Sequence, residues 1–153
     1  MSDKATEDTL ERKFIQILRK AQSIAMQRDR YKLQVADLEH KMIAVGSPKP
    51  SEGGGGGGSI SRDQKMISLI MKKDIAKANF DIRQAELDWI IKTVYKVAEP
   101  CAVATIICKF VLGKKPKNYN IDHHIERYIT ITEEILKEWE DMQHMEVTPL
   151  KRE

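Results

Sequence analysis

The chain has 153 residues, the length of one ordinary domain, with hydrophobic residues at 41%, charged residues at 32% and aromatic residues at only 6%. That is enough apolar matter to bury a core, which excludes a wholly disordered chain, and too few aromatic residues to favour a β-sandwich. Lys and Arg number 26 against 23 Asp and Glu, and a net charge of +3 does not by itself mark a polyanion-binding protein.

The opening stretch MSDKATEDTLERK has no apolar signal core or cleavage site, so an intracellular chain, cytoplasmic or nuclear, is expected. Residues 6–45 then read as one long helix. Leu10, Phe14, Ile17, Ala21, Ile24, Arg28, Tyr31, Val35, Leu38, Met42 and Val45 alternate spacings of four and three without a slip, which predicts a coiled-coil seam. Thr6 is placed to cap its start, and Gly46 and Pro48 end it. Arg28 is the single polar member of the seam, expected to set register against an acidic residue of the opposite helix, Asp74 or Asp81. Such a helix would expose its apolar stripe if alone, so it requires a partner.

Gly53 to Gly58 are six consecutive glycines flanked by SPKPSE and SIS, a flexible polar stretch with nothing to pack. Either it is a native loop, or it is an introduced tether joining two segments that associate; the second reading is preferred. The implied organisation is a coiled-coil helix over 1–45, a Gly-rich linker over 46–59 and a helical hairpin or bundle segment over 60–153 that packs with the first helix.

In that last segment a helix is predicted from about Ser61 to Glu99, capped by Ser61 or Asp63. It carries two stripes, Met71, Ile75, Ala78, Ile82, Ala85 and Trp89 on one side and Phe80, Leu87, Ile91, Val94 and Ala98 on the other, so it should touch more than one neighbour. Pro100 breaks the chain, CAVATIICKFVL over 101–112 reads as a short buried helix, and Gly113 is placed to terminate it. A final helix is predicted from Ile121 to Val147, capped by Asn120 or Asp122, with Ile121, Ile125, Tyr128, Thr132, Ile135, Trp139 and Met142 as its seam.

A helix of about 40 residues is about 60 Å long, whereas the 14 residues of 46–59 span about 48 Å at full stretch. An antiparallel hairpin is therefore favoured within one molecule, and parallel pairing is left for two copies, a homodimer. The predicted fold class is all-α: a long antiparallel helical hairpin or coiled coil broadening into a three- or four-helix bundle.

Little in the sequence points to catalysis. No HExxH, CxxC, P-loop, GxGxxG or GxSxG pattern is present. His123 and His124 are adjacent and diverge by about 100° on a helix, while Cys101 and Cys108 are separated by about 10 Å of helical rise, too far for a disulfide; they read as buried thiols rather than metal ligands. Glu133, Glu134, Glu138, Glu140, Asp141 and Glu146 read as a solvated helix face rather than a carboxylate metal site. No catalytic, cofactor-binding or metal site is expected.

Two readings of function follow. In the first, the chain is a non-catalytic scaffold or interaction module that meets other protein chains through helical seams, with Leu10, Phe14, Ile17, Ile24, Arg28, Tyr31, Val35, Leu38, Ile82, Trp89, Tyr128, Ile135 and Trp139 as interface residues. The alternative is a nucleic-acid-associated subunit using Lys109, Lys114, Lys115 and Lys117, a basic loop that equally suits an acidic protein partner or complements a helix C-terminus. Thr148, in the sequence Thr-Pro-Leu-Lys, matches a proline-directed phosphorylation pattern and points to a cell-cycle or other regulatory setting. No apolar run reaches the roughly 20 residues of a membrane span.

Overall fold

The computed structural model describes residues 9–46 and 61–142. The glycine run and the expectations that fall on Thr6, Pro48, Glu146, Val147 and Thr148 lie outside the described residues. The protein is all-α, as the periodicity predicts: α1 spans Leu10–Leu18, α2 Ala21–Gly46, α3 Arg62–Val97, α4 Pro100–Ile106, α5 Tyr119–His123 and α6 Glu133–Met142. The chain divides into two compact units, the first holding the described residues of Met1–Met26 and Ile82–Met145, the second those of Gln27–Asp81.

The second unit is an antiparallel helical pair. Between residues 27 and 46 the half-buried positions are Arg28, Tyr31, Val35, Leu38, Met42 and Val45, and every other side chain is exposed. That is the four-three seam read from the sequence. The order of contacts fixes the antiparallel sense: Arg62 Nε donates to the Val45 carbonyl at 2.7 Å, and the Lys73 ammonium meets the Glu39 carboxylate at 3.4 Å. The α3 side of the seam is Met66, Leu69, Lys73, Ala76 and Phe80, again at three-four spacing, with Asn79 buried beside it. The expected stripe holds at Ile75 and Ala78, which are half-buried, but not at Met71, which is 59% exposed. A lysine can occupy a seam position because its aliphatic stem packs while its ammonium reaches outward. Ser61, as expected, starts α3: its hydroxyl accepts from the Gln64 amide at 3.1 Å while Gln64 Oε1 accepts from the Ser61 amide at 3.4 Å, a reciprocal capping box.

The first unit is a bundle around one continuous core. Phe14, Ile17, Leu18, Ala21 and Ile24 come from before the glycine run; Leu87, Ile90, Val94, Ala102, Ile106, Phe110 and others come from after it. The expected long helix over 6–45 is present from Leu10 but bent, so that it is divided into α1 and α2. At Arg19–Lys20 the backbone tightens so that the Lys20 amide bonds the Ile17 carbonyl, three residues back, before α2 resumes with Ile24 bonding Lys20. Ile17 and Leu18, neighbours in sequence, are both buried at this bend. Thr9 caps α1 by accepting from the Arg12 amide at 3.2 Å.

Pro100 occupies the first turn of α4, where its missing amide hydrogen costs nothing, and α3 ends before it at Val97. The apolar segment is helical as expected, but after Ile106 it widens into a π-turn over Ile107–Val111. Gly113 stops it in the left-handed region at φ 68°.

The expected helix from Ile121 to Val147 is corrected most. Asn118, not Asn120 or Asp122, caps the short α5. A 3₁₀ turn follows over Ile125–Tyr128, and the chain then runs extended, forming an antiparallel bridge from Ile129 to Ala98 before α6 begins. Hydrogen bonds from the Glu99 amide to the Tyr128 carbonyl (2.8 Å) and from the Thr130 amide to the Val97 carbonyl (2.9 Å) hold it there. The reason is local. Ile129-Thr130-Ile131-Thr132 is a β-branched run alternating at period two, and Ile129 and Ile131 are buried while the threonines face out.

Candidate interaction surfaces

Most of the interface residues expected from the sequence are used within the chain. Phe14, Ile17, Ile24 and Trp139 are buried in the core of the first unit, and Leu10, Ile82, Trp89, Tyr128 and Ile135 are half-buried in the same unit. Trp89 stands between two other rings, 6.4 Å from Phe14 in an edge-on arrangement and 5.3 Å from Trp139. The indole nitrogen of Trp139 is buried with no hydrogen-bond partner among the described residues. In the second unit Arg28, Tyr31, Val35 and Leu38 lie along the seam, half-exposed. Arg28 is paired with Asp29, the next residue, at 3.0 Å.

The apolar pattern conceals a set of polar residues on the inward face of α3: Lys73, which meets the exposed Glu39 of α2, the buried Asn79, and Arg83 with Glu86. The Glu86 side chain is 2% exposed and lies 2.6 Å from the Arg83 guanidinium. Burial pushes its carboxyl above the usual carboxylate range, while Arg83 and Lys20 pull it down; burial wins. The sequence signal for these residues was their register: each falls on or beside a three-four position of α3 but is too polar to be counted on apolar criteria.

The four lysines of the basic loop separate. Lys109 is tied to Asp122 at 2.7 Å and lies over the Phe110 ring, 5.5 Å from its centre. Lys114, Lys115 and Lys117 are exposed. The cysteines are not both buried as expected. Cys101 is exposed at the start of α4, and half-buried Cys108 places its sulfur 3.7 Å and 3.8 Å from the carbonyls of Lys114 and Lys115.

What remains open is apolar and concentrated. Of the eight large hydrophobic side chains exposed among the described residues, five belong to the second unit, Leu33, Ile43, Ile67, Ile70 and Met71, and Met26, Tyr95 and Leu112 to the first. Among these, Ile67 and Met71 fall on the outward side of α3, away from its seam. The first unit contributes Tyr95 and Leu112, which edge a groove of about 510 Å³ beside α4. A second groove of about 440 Å³ runs between α1 and α6, lined by Leu10, Ile17, Leu136 and Trp139 with Lys and Glu side chains around them. Among the described residues no helix is long and apolar enough to cross a membrane.

No protein-family model matches the chain, and neither a curated protein nor a solved structure matches it.

Proposed function

We propose that the protein is a non-catalytic interaction module, two associating helical segments of a larger assembly joined in one chain, whose work is done by helical surfaces. The observation that supports this reading most is the outward side of the second unit. Ile67 and Met71 are each more than half exposed on a helix whose other side already pairs within the chain. Large apolar side chains clustered on an exposed helix face are a common mark of protein association. The tethered organisation draws support from the core of the first unit, to which residues before and after the glycine run both contribute. A second copy of the chain is one partner such a face can take.

The test uses the full chain with an affinity tag, crosslinked in a cell extract, beside an Ile67→Glu/Met71→Glu variant. These side chains are exposed, so the variant should keep its stability within about 0.5 kcal/mol. The reading expects a defined set of proteins, or a second copy of the chain, held by the parent and lost by the variant. An identical set from both overturns it.

A further inference from the structure

We propose that the groove beside α4 binds an acidic amphipathic segment of a partner protein. This rests on the interaction-module reading and gives it a partner chemistry. The floor is apolar: Val103 and Ile107 with Pro100 and Cys108, bounded by Tyr95 at one edge and Leu112 at the other. Tyr95 is 68% exposed and Leu112 58%, so each presents a large apolar surface to whatever enters. A volume of about 510 Å³ lies within the range of ligand pockets, and an amphipathic helix laid in a groove by its apolar side chains is a recurrent way of filling such a site.

The rim supplies the sign of the partner's charge. Lys92 and Lys96 flank Tyr95 on α3, one turn before it and one residue after it, and both are exposed. Lys114 and Lys115 border the other side, since their backbone carbonyls lie against the Cys108 sulfur that lines the groove. Lys117 follows them. Among the described residues none of these five lysines is ion-paired, whereas Lys109, at the end of the same helical segment, is neutralised by Asp122. Glu99, exposed beside Pro100, and Asp88, exposed one turn before Lys92 on α3, are the nearby carboxylates, so the lysines remain in excess. Rim charges of one sign select a partner of the other and speed its docking. A nucleic acid fits less well: its phosphates would leave the apolar floor uncovered, and Tyr95 is the sole ring at the groove on which a base might stack.

The test is an unbiased selection of short random peptides displayed against the full chain, with binding of enriched peptides then measured by fluorescence anisotropy. Enrichment of acidic peptides with apolar residues at helical spacing is expected, with binding weakened by added salt. Leu112→Asp should weaken binding about tenfold or more, because it removes one wall and repels the ligand. Lys114→Glu/Lys115→Glu should shift the enriched set toward basic peptides, a change that loss of folding cannot produce. Enrichment of basic or neutral peptides by the parent, indifference to Leu112→Asp, or tighter binding of duplex DNA than of any peptide overturns the proposal. Loss of partners by the Ile67→Glu/Met71→Glu variant would stand through any of those results, so the two readings fail separately.

Discussion

The two units are built from the same helical period but bury very different amounts. Among the described residues, the apolar core of nineteen buried side chains lies wholly in the first unit, whereas the second buries only Ala76 and Asn79. The contrast comes from the number of neighbours each helix has. In the first unit α3 is flanked on two sides, and Leu87, Ile90 and Val94 are sealed while Trp89, on a different face, meets Phe14 and Trp139. In the second unit α2 and α3 have only each other among the described residues, so a seam position such as Leu38 is half-buried at best. Apolar burial stabilises by about 25 cal/mol per Å², so an identical heptad pattern carries less stability where one partner replaces several. The first unit should hold itself together, and the second should gain most from whatever covers its outer face.

The sharpest way to break this comparison is to truncate one aromatic side chain in the first unit and one seam residue in the second. Phe14 is fully buried, and Phe14→Ala should destabilise by about 3–5 kcal/mol in denaturant melts. Leu38→Ala should cost clearly less than the 2–5 kcal/mol of a fully buried leucine, because part of its surface is already in water. Equal losses at the two sites would show that the second unit is sealed in solution by contacts absent here, self-association first among them; repeating the melt at several protein concentrations would then decide.

How much of this was legible in the sequence follows the same division. The seam of α2 was read residue by residue, since Arg28 through Val45 hold one phase and face one partner. The seam of α3 is legible only in part. Ile75 and Ala78 are half-buried as expected, but Met71 faces out, and Lys73 and Asn79 occupy inward positions that apolar counting passes over. The last segment failed for another reason. Ile121, Ile125, Tyr128, Ile135 and Trp139 keep helical spacing and are all at least half-buried, yet Ile129 to Thr132 also alternate at period two, and the second signal decides the backbone. Thr132, followed by Glu133 and Glu134, was a legible start signal for α6, and its hydroxyl does accept from the Ile135 amide at 3.4 Å. The grooves were not legible, because Tyr95 and Leu112 are brought to one site only by the turn at Pro100.

A smaller effect separates the units by pH. Glu86 belongs to the first unit, and burial raises its pKa above the ordinary carboxylate value of about 4.3. The folded state therefore holds that proton more tightly than the unfolded state. This group's contribution favours folding most at low pH and is lost as pH rises through the window between the ordinary value and the raised one. Glu86→Gln keeps the shape and removes the titration. The variant should be at least as stable as the parent at neutral pH, with its advantage shrinking as the medium is acidified and Glu86 of the parent takes up its proton. A clear loss of stability at neutral pH would mean that the attraction of Arg83 and Lys20 outweighs the cost of burial.

The smallest expected effect probes the ends of helices. Ser61→Ala removes the hydroxyl that accepts from the Gln64 amide and should cost about 1 kcal/mol; Thr9→Ala removes the corresponding bond at Arg12 and should cost about as much locally. The consequences should differ because of what lies behind each cap. Behind Thr9, α1 presents Phe14, Ile17 and Leu18 to a sealed core, so amide exchange should quicken only in the first turn. Behind Ser61, the helix has two half-buried turns around Met66 and Leu69 before Ala76, and the neighbouring bond from Arg62 to the Val45 carbonyl ties the same end to α2. Faster exchange should therefore spread along residues 61–75 and into the facing end of α2. Exchange confined to residues 61–64 would show that the seam alone is enough to hold the second unit closed.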